Sequence, residues 1–134
     1  MILDAGFLVS IDRSDRAAHE FLTAARSRAA VLRTTDPVVA QVWRDGPRQA
    51  RLAAFLKSVE TVPLDDGRFV GQLLAASKTS DVVDAHVVAV ALRAGDSILT
   101  GDVDDLAKIA ATLGPSAPKI HSWPPLLGVR TLSH

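Results

Sequence analysis

Cysteine is absent from the 134-residue chain. Its absence excludes disulfide bonds and thiolate metal ligands, and it makes a reducing cytoplasm the expected compartment. An excess of charge is absent too, since 15 lysine and arginine residues balance 15 aspartate and glutamate residues. No long-range field therefore attracts nucleic acid, although anions can still bind locally.

Long apolar runs are also missing. The longest fall far below the length of a membrane span, and Asp4 stands where a signal peptide would be apolar. We therefore expect a protein that is neither exported nor embedded in a membrane. The length and the 48% hydrophobic content fit one compact domain. We assign residues 1–123 to this domain and residues 124–134 to an extension that is either mobile or docked onto a partner.

Short apolar runs alternate with helical patterns along the chain. The runs read as strands because they are enriched in apolar and β-branched residues and end at turns; they span residues 1–3, 29–35, 59–64, 97–100 and 119–123. Helical patterns span residues 14–28, 36–45, 47–58, 66–77, 82–94 and 103–113. Strands separated by helices need crossover connections, so the sequence predicts an α/β fold with a mainly parallel sheet covered on both faces.

A few residues mark the expected helix ends. Asp36 before Pro37 predicts an N-cap followed by proline in the first turn. Gly46, Gly95 and Gly114 stand where helices should stop. These positions set the lengths of the predicted helices.

Four aspartates are expected at one edge of the sheet. Asp4 follows the first strand and Asp102 follows the strand at 97–100. If these strands are neighbours, both side chains point into the crevice beyond the carboxyl ends of the strands, where α/β proteins bind ligands. Asp81 and Asp84 lie three apart at the start of the helix that leads to Asp102, so antiparallel packing of this helix brings them to the same edge.

A cation is expected among these carboxylates. Two of them held ~4 Å apart repel by about 4 kcal/mol at an effective dielectric constant near 20. A divalent ion removes this repulsion, and oxygen ligands without cysteine or suitably spaced histidine favour Mg²⁺ or Mn²⁺ over zinc. A structural reading stays open, because Asp81 with Asp84, and Asp102 with Asp105, also fit the cap and first turn of a helix. His86 lies about 200° around the helix from Asp84 and should pack away from the acids.

Four segments of the chain carry a family likeness: ILDAGFLVS at the amino terminus, TDPVVAQVWR, ASKTSDVVDAHVVAVAL and ILTGDVDDLAKIA. In this order and spacing they resemble the PIN-domain ribonuclease toxins of bacterial VapBC toxin–antitoxin systems, over nearly the whole chain. The resemblance implies a Rossmann-like α/β/α sandwich, with acidic residues gathered at the carboxyl edge of a parallel sheet.

By this resemblance, three acids of the family fall on residues of this chain. They are Asp4, Asp84 within DVVDA, and Asp102 within LTGD, and they are implied to be catalytic and to bind metal. Asp81 and Asp105 would support the metal or water from nearby. Thr100 resembles the small hydroxyl residue that precedes the last acid and would orient a ligand.

Gln41 departs from the family pattern. Within PVVAQVWR the family usually has glutamate at this place, which makes Gln41 a fourth catalytic position with a changed side chain. The amide keeps almost the same shape and its oxygen can still contact a metal. The cluster nevertheless loses one negative charge, so a second cation should bind less tightly and activity should be attenuated.

The resemblance implies an endoribonuclease toxin that depends on Mg²⁺ or Mn²⁺. Asp4, Asp84 and Asp102 would hold the ion, and an activated water would attack the RNA phosphodiester in line. A VapB-like antitoxin that covers the groove is the implied partner, and homodimerisation is implied as well. Trp43 and the apolar carboxyl-terminal segment are candidate contact surfaces, although a helical tryptophan is often part of the core.

Arginines are the candidate substrate contacts. Arg44, one turn beyond Gln41 on the same predicted helix face, could steady a phosphate or pair with the acids, and Arg13 is a second candidate. Arg16, Arg48 and Arg51 also fit backbone contacts, but for Arg13 and these three a solvated helix face is the favoured interpretation.

Two other functions stay open from the sequence. In the first, Gln41 has disabled catalysis and the domain only binds an antitoxin or RNA. In the second, the chain is a phospho-acceptor domain such as a response-regulator receiver, which has a similar length and acids at strand ends. That fold needs a lysine after its last strand, whereas Lys119 precedes the last predicted strand, and no adjacent acidic pair follows the first one.

Overall fold

The central sheet is seen in a computed structural model that describes residues 1–125. Its strands are β1 (Ile2–Leu3), β2 (Arg33–Thr35), β3 (Glu60–Val62), β4 (Ile98–Thr100) and β5 (Ile120–Ser122). They lie in the order β3-β2-β1-β4-β5, and every neighbouring pair is parallel. The predicted α/β fold with a parallel central sheet is confirmed.

Helices connect the strands throughout the described residues. They are α1 (Ala5–Asp12), α2 (Arg16–Ser27), α3 (Asp36–Val42), α4 (Ala50–Leu56), α5 (Gly67–Ser77), α6 (Val82–Ala94) and α7 (Val103–Ala110), with 3₁₀ turns at Gly46–Arg48 and Ala111–Ser116. The chain moves from β1 to β2 and β3 on one side, then returns to place β4 on the other side of β1. Because such crossovers are right-handed, this reversal puts helices on both faces of the sheet.

Helix α1 was not predicted. Its sequence AGFLVSID is apolar around most of its circumference, so it lacks the polar face that marks an amphipathic helix. Phe7, Leu8 and Ile11 are buried. The helix begins at the N-cap Asp4, whose Oδ1 accepts a hydrogen bond from the Ala5 N–H at 2.8 Å.

The predicted helix 36–45 begins at Asp36 as predicted, but its N-cap and its last residue differ in the structure. Its N-cap is Thr35 rather than Asp36, because Thr35 Oγ1 accepts a hydrogen bond from the Val38 N–H at 3.2 Å. The helix stops at Val42, since Trp43 has an extended backbone with ψ of 130°. The predicted N-cap and the predicted last residue were therefore wrong.

The three glycines behave differently from one another. Gly95 ends α6 in the left-handed conformation, with φ of 62°, as predicted. Gly46 instead begins a 3₁₀ turn, and Gly114, with φ of 57°, lies inside the turn Ala111–Ser116. The predicted helix 47–58 is accordingly shortened to Ala50–Leu56.

The strand register brings two distant segments together at one edge. Ile2 pairs with Ile98 and Leu3 with Leu99, and the Asp4 N–H donates to the Leu99 carbonyl at 3.0 Å. Asp4, directly after β1, therefore lies level with Thr100, the last residue of β4. They flank the point where the strand order reverses, which is the usual ligand crevice of an open α/β sheet.

Helix α6 and a cluster of aromatic side chains form much of the core. Every residue of α6 from Asp84 to Ala91 is buried. Phe7 meets Phe21 and Trp123 edge to face, with ring centroids 5.2 and 4.8 Å apart. Trp123 therefore belongs to the domain, and of the predicted extension 124–134 the part from residue 126 onward lies outside the described residues. No helix within residues 1–125 is long and apolar enough to cross a membrane.

Candidate active site

Asp4 and Thr100 form the buried centre of the carboxyl edge. Asp4 is 4% exposed and Thr100 is completely buried. Thr100 Oγ1 donates to Asp4 Oδ2 at 2.7 Å, and the same oxygen accepts from the Asp102 N–H at 2.9 Å. One hydroxyl thus links the end of β1 to the end of β4, and it fixes both the Asp4 carboxylate and the backbone of Asp102.

Asp102 occupies the N-cap position of α7, but its carboxylate makes no capping hydrogen bond. Helix capping therefore accounts for the position of Asp102 in the chain but gives its carboxylate no role. Asp81 does cap its helix, because Asp81 Oδ1 accepts from the Asp84 N–H at 3.0 Å. This capping turns the first residues of α6 so that Asp84, 8% exposed, lies in the buried part of the same edge.

The charges of neighbouring aspartates affect the titration of the two buried acids, Asp84 and Asp4. Burial raises the pKa of Asp84 to about 7, with further contributions from the charges of Asp81, Asp4, Asp102 and Asp105. Burial also raises the pKa of Asp4, as do the charges of Asp102 and Asp81, although hydrogen bonds from Thr100 and Ala5 lower it. Burial and the surrounding negative charge therefore both disfavour the ionised forms of Asp4 and Asp84.

The side chains at this edge are of the chemical type that binds a hard divalent cation. Its ligands are carboxylate oxygens, which Mg²⁺ and Mn²⁺ prefer, and a cation would offset the burial and repulsion that raise the pKa values. As the side chains stand, no group of three or more Asp, Glu or His residues within residues 1–125 is arranged to hold a metal ion. Metal binding by Asp4, Asp84 and Asp102 therefore stays a prediction.

Replacing Thr100 by valine should loosen this edge. The change keeps the shape but leaves the Asp4 carboxylate and the Asp102 N–H without their shared partner, and a buried polar group left unpaired costs about 1–3 kcal/mol. We expect the free energy of unfolding to fall by this amount in chemical denaturation. Thr100→Ser, which retains the hydroxyl, should lose clearly less, and equal losses in the two variants would contradict the role of the hydrogen bonds.

Gln41 is exposed near the end of α3 and takes no part in the hydrogen bonds that join Asp4, Thr100 and Asp102. Helix α3 starts at the carboxyl end of β2, and it packs against α1 and α6, which carry or follow the acids. Its role as a catalytic position stays a prediction.

The structure does not place Arg44 where the sequence predicted it. Arg44 lies beyond the end of α3, so it does not share a helix face with Gln41, and its Nη1 donates to the carbonyls of Ala40 and Trp43 at 3.1 and 2.6 Å. Within the described residues, no hydrogen bond or ion pair joins Arg44 to the acids. The other four candidates are also exposed: Arg13, Arg16, Arg48 and Arg51.

Gln49 is a residue that the sequence argument missed. It is 9% exposed, and its Oε1 accepts from the N–H groups of Arg44 and Asp45 at 2.7 and 2.9 Å. Its Nε2 donates to the Val42 carbonyl at 2.9 Å and to Asp12 Oδ2 at 3.3 Å. No local sequence signal distinguishes it, because a buried glutamine is recognised only when its four partners are known.

His86 packs inside the protein, as predicted. It is fully buried, and neither ring nitrogen has a hydrogen-bond partner among the described residues. Burial lowers the pKa of His86 and favours the neutral ring. The charges that affect its titration are those of Arg93, Asp65 and Asp36 rather than those of the acidic edge.

Comparison with known proteins decides the family. The PIN-domain model matches residues 1–111. The chain belongs to the PIN-domain family. This PIN domain is similar in fold to one chain of the crystal structure of VapBC2 from Rickettsia felis bound to a DNA fragment from their promoter, with a TM-score of 0.66 and 14% identity, over 91% of this chain and 97% of that chain. No curated protein sequence matches it significantly.

Family membership confirms the resemblance seen in the four segments. The PIN-domain match ends at residue 111, so it covers Asp4, Gln41, Asp84 and Asp102 together. The receiver-domain alternative is removed by this result, because the whole acidic edge lies within the matched range.

Proposed function

We propose that this PIN domain is a VapC-like toxin of a type II toxin–antitoxin system, a metal-dependent endoribonuclease acting in the cytoplasm. The observation that carries the proposal is the pair of buried carboxylates, Asp4 and Asp84, at the strand-order reversal of a PIN domain. The fold likeness to a VapBC2 chain supports the toxin class.

Each residue of the edge has a distinct part in the proposed reaction. Asp4, Asp84 and Asp102 are the carboxylates that would hold Mg²⁺ or Mn²⁺. A divalent ion bound there supplies an activated water and neutralises charge on the phosphate. Thr100 keeps the Asp4 carboxylate from rotating, because it donates to one oxygen while the Ala5 N–H donates to the other.

The negative edge needs a positive partner when no substrate is bound. We propose that a VapB-like antitoxin covers it and presents a basic group to the acids. A homodimer is part of the same proposal. The VapBC2 structure of the neighbour is a toxin–antitoxin complex bound to DNA, which supports this kind of partner.

Gln41 favours a second candidate function. An amide at this position carries no charge, so the domain could bind an antitoxin or RNA without cleaving it. Cleavage of a fluorescent single-stranded RNA in Mn²⁺, followed by gel electrophoresis, separates the two functions. The proposed enzyme cuts RNA as wild type, whereas a binding-only domain leaves it intact.

Gln41→Glu should increase the cleavage rate. The change adds a fourth carboxylate at the position where the family usually has glutamate, so a second cation should bind more tightly. We expect the cleavage rate to rise about ten-fold, which corresponds to a decrease of about 1.4 kcal/mol in the activation free energy. Gln72→Glu, an exposed change in the middle of α5, is the matched control for added charge. A rate unchanged by Gln41→Glu, or raised equally by Gln72→Glu, would contradict a role for position 41.

A further inference from the structure

Trp43 is exposed, and its indole packs against the backbone of the same loop. Its side chain is 37% exposed, whereas the other tryptophan, Trp123, is 4% exposed in the aromatic cluster. The indole lies on Gly46, where an added Cβ would be only 3.1 Å from Trp43 Cζ2. The glycine therefore leaves room for a flat ring against the backbone, with the remaining surface of the ring turned to solvent.

The segment around Trp43 is pre-organised by Gln49. We call residues 43–48 the tryptophan loop. Gln49 accepts from the N–H groups of Arg44 and Asp45 and donates to Val42 and Asp12, so the loop is tied to the ends of α3 and α1. A ring on a fixed loop loses little conformational freedom when a partner contacts it.

The loop and the start of α4 are positively charged. From residue 43 to residue 51 there are three arginines, Arg44, Arg48 and Arg51, and one acid, Asp45. Arg48 is 88% exposed in its side chain and pairs with Asp45 at 3.5 Å. Asp12, which contacts Gln49, adds a second acid beside the loop. Three arginines still outnumber two acids, and in a chain of zero net charge this local excess favours an anionic partner.

The loop lies within reach of the acidic edge. Helix α1 begins directly after Asp4, and its last residue, Asp12, contacts Gln49. Eight helical residues span roughly 12 Å, which equals three or four stacked nucleotides at about 3.4 Å each. A strand of RNA whose phosphate lies at Asp4 therefore needs three or four nucleotides to span α1 as far as Asp12, the residue that Gln49 joins to the tryptophan loop.

We propose that Trp43 is a stacking platform for an unpaired base of single-stranded RNA, with Arg44 and Arg48 beside it to contact phosphates. The exposed aromatic face supplies stacking that tolerates any base, and the arginines supply charge. The site gives the proposed ribonuclease a preference for single-stranded over duplex RNA, because bases in a duplex are already stacked. The inference rests on the proposed function, since it assigns a substrate contact to the same enzyme.

The test measures RNA binding separately from cleavage. The full chain is titrated in EDTA with a fluorescein-labelled single-stranded RNA, and with its duplex, while anisotropy is recorded. Trp43→Ala should weaken binding of the single strand about ten-fold and leave the duplex nearly unchanged. Trp43→Phe should retain most of the affinity, because it keeps an aromatic face. Val31→Ala, an exposed apolar change at the amino edge of the sheet, is the control.

Tryptophan fluorescence gives a second readout. Stacking on Trp43 should quench part of the wild-type emission when unlabelled single-stranded RNA is added in EDTA. Trp43→Phe should abolish the quench, since the buried Trp123 remains as the sole indole. Circular dichroism verifies that each variant is folded.

Three results would overturn the proposal. One is an unchanged affinity for single-stranded RNA in Trp43→Ala, and another is an equal loss for the duplex. The third is a loss of self-association in Trp43→Ala with RNA affinity intact, which would identify the loop as an interface between copies. If the wild type cleaves RNA while any of these holds, only the stacking site fails; if the wild type neither binds nor cleaves RNA, the proposed function fails.

Discussion

Asp4→Asn and Asp84→Asn should each reduce RNA cleavage at least about 100-fold. Loss of a residue that only supports a metal ligand typically costs 10–100-fold, and these two carboxylates are proposed as ligands themselves. Both are buried at the reversal of the strand order, so no exposed neighbour can replace them without rearrangement. Initial rates of cleavage at saturating Mn²⁺ give the comparison.

The same variants should lose their thermal response to metal. An ion that binds the folded wild type at about 100 times its Kd stabilises it by about 3 kcal/mol, which for a chain of this size raises Tm by roughly 10 °C. In Asp4→Asn and Asp84→Asn the shift should shrink to a small fraction of this value. Differential scanning fluorimetry with and without Mn²⁺ measures it.

Asp15→Asn is the matched control for these variants. Asp15 is exposed at the N-cap of α2, where its side chain makes no capping hydrogen bond. It should keep both the cleavage rate and the metal response of wild type. An undiminished metal shift in both Asp4→Asn and Asp84→Asn would remove the proposed metal site.

Without metal, the stability of the protein should depend on the protonation of Asp84. Its folded pKa is about 7 against an ordinary value of 3.8, with burial as the main cause. Between these two values the folded carboxyl holds a proton that the unfolded chain has released. The free energy of unfolding therefore falls as pH rises from 4 to 7. Three units of pKa correspond to roughly 4 kcal/mol.

Asp84→Asn isolates this contribution. The amide does not titrate, so urea denaturation in EDTA at pH 5 and pH 8 should show a smaller loss of stability for the variant than for wild type. Asp15→Asn should follow the wild-type profile. Equal losses in wild type and Asp84→Asn would show that the carboxylate of Asp84 is not held in a buried, repulsive environment. Mn²⁺ should restore wild-type stability at pH 8.

The acids at the carboxyl edge of the sheet could be predicted from the sequence, whereas the strand pairing that brings them together could not. Asp4 and Asp102 could be assigned because a short apolar strand before an acid and a glycine is a local pattern, and parallel strands share one edge. The pairing of β1 with β4 joins residues about 96 apart along the chain. The sequence could not predict this pairing, so the shared edge was expected only if the two strands were neighbours. The structure meets this condition.

The parts that sequence reasoning missed are tertiary. Helix α1 was missed because an all-round apolar segment has no periodicity to read. The helix with Arg44 was made too long, since nothing local indicates that Gln49 would take the backbone N–H groups of Arg44 and Asp45. Long-range hydrogen bonds of this kind override local propensity, and they decide where the basic residues point.

The joining of β1 to β4 has a consequence for synthesis of the protein. Asp4 is synthesised before Thr100, which holds its carboxylate and lies 96 residues later along the chain. A nascent chain that ends before β4 has only one border of the crevice. The hydrogen bond that fixes the Asp4 carboxylate therefore forms only after β4 has been translated.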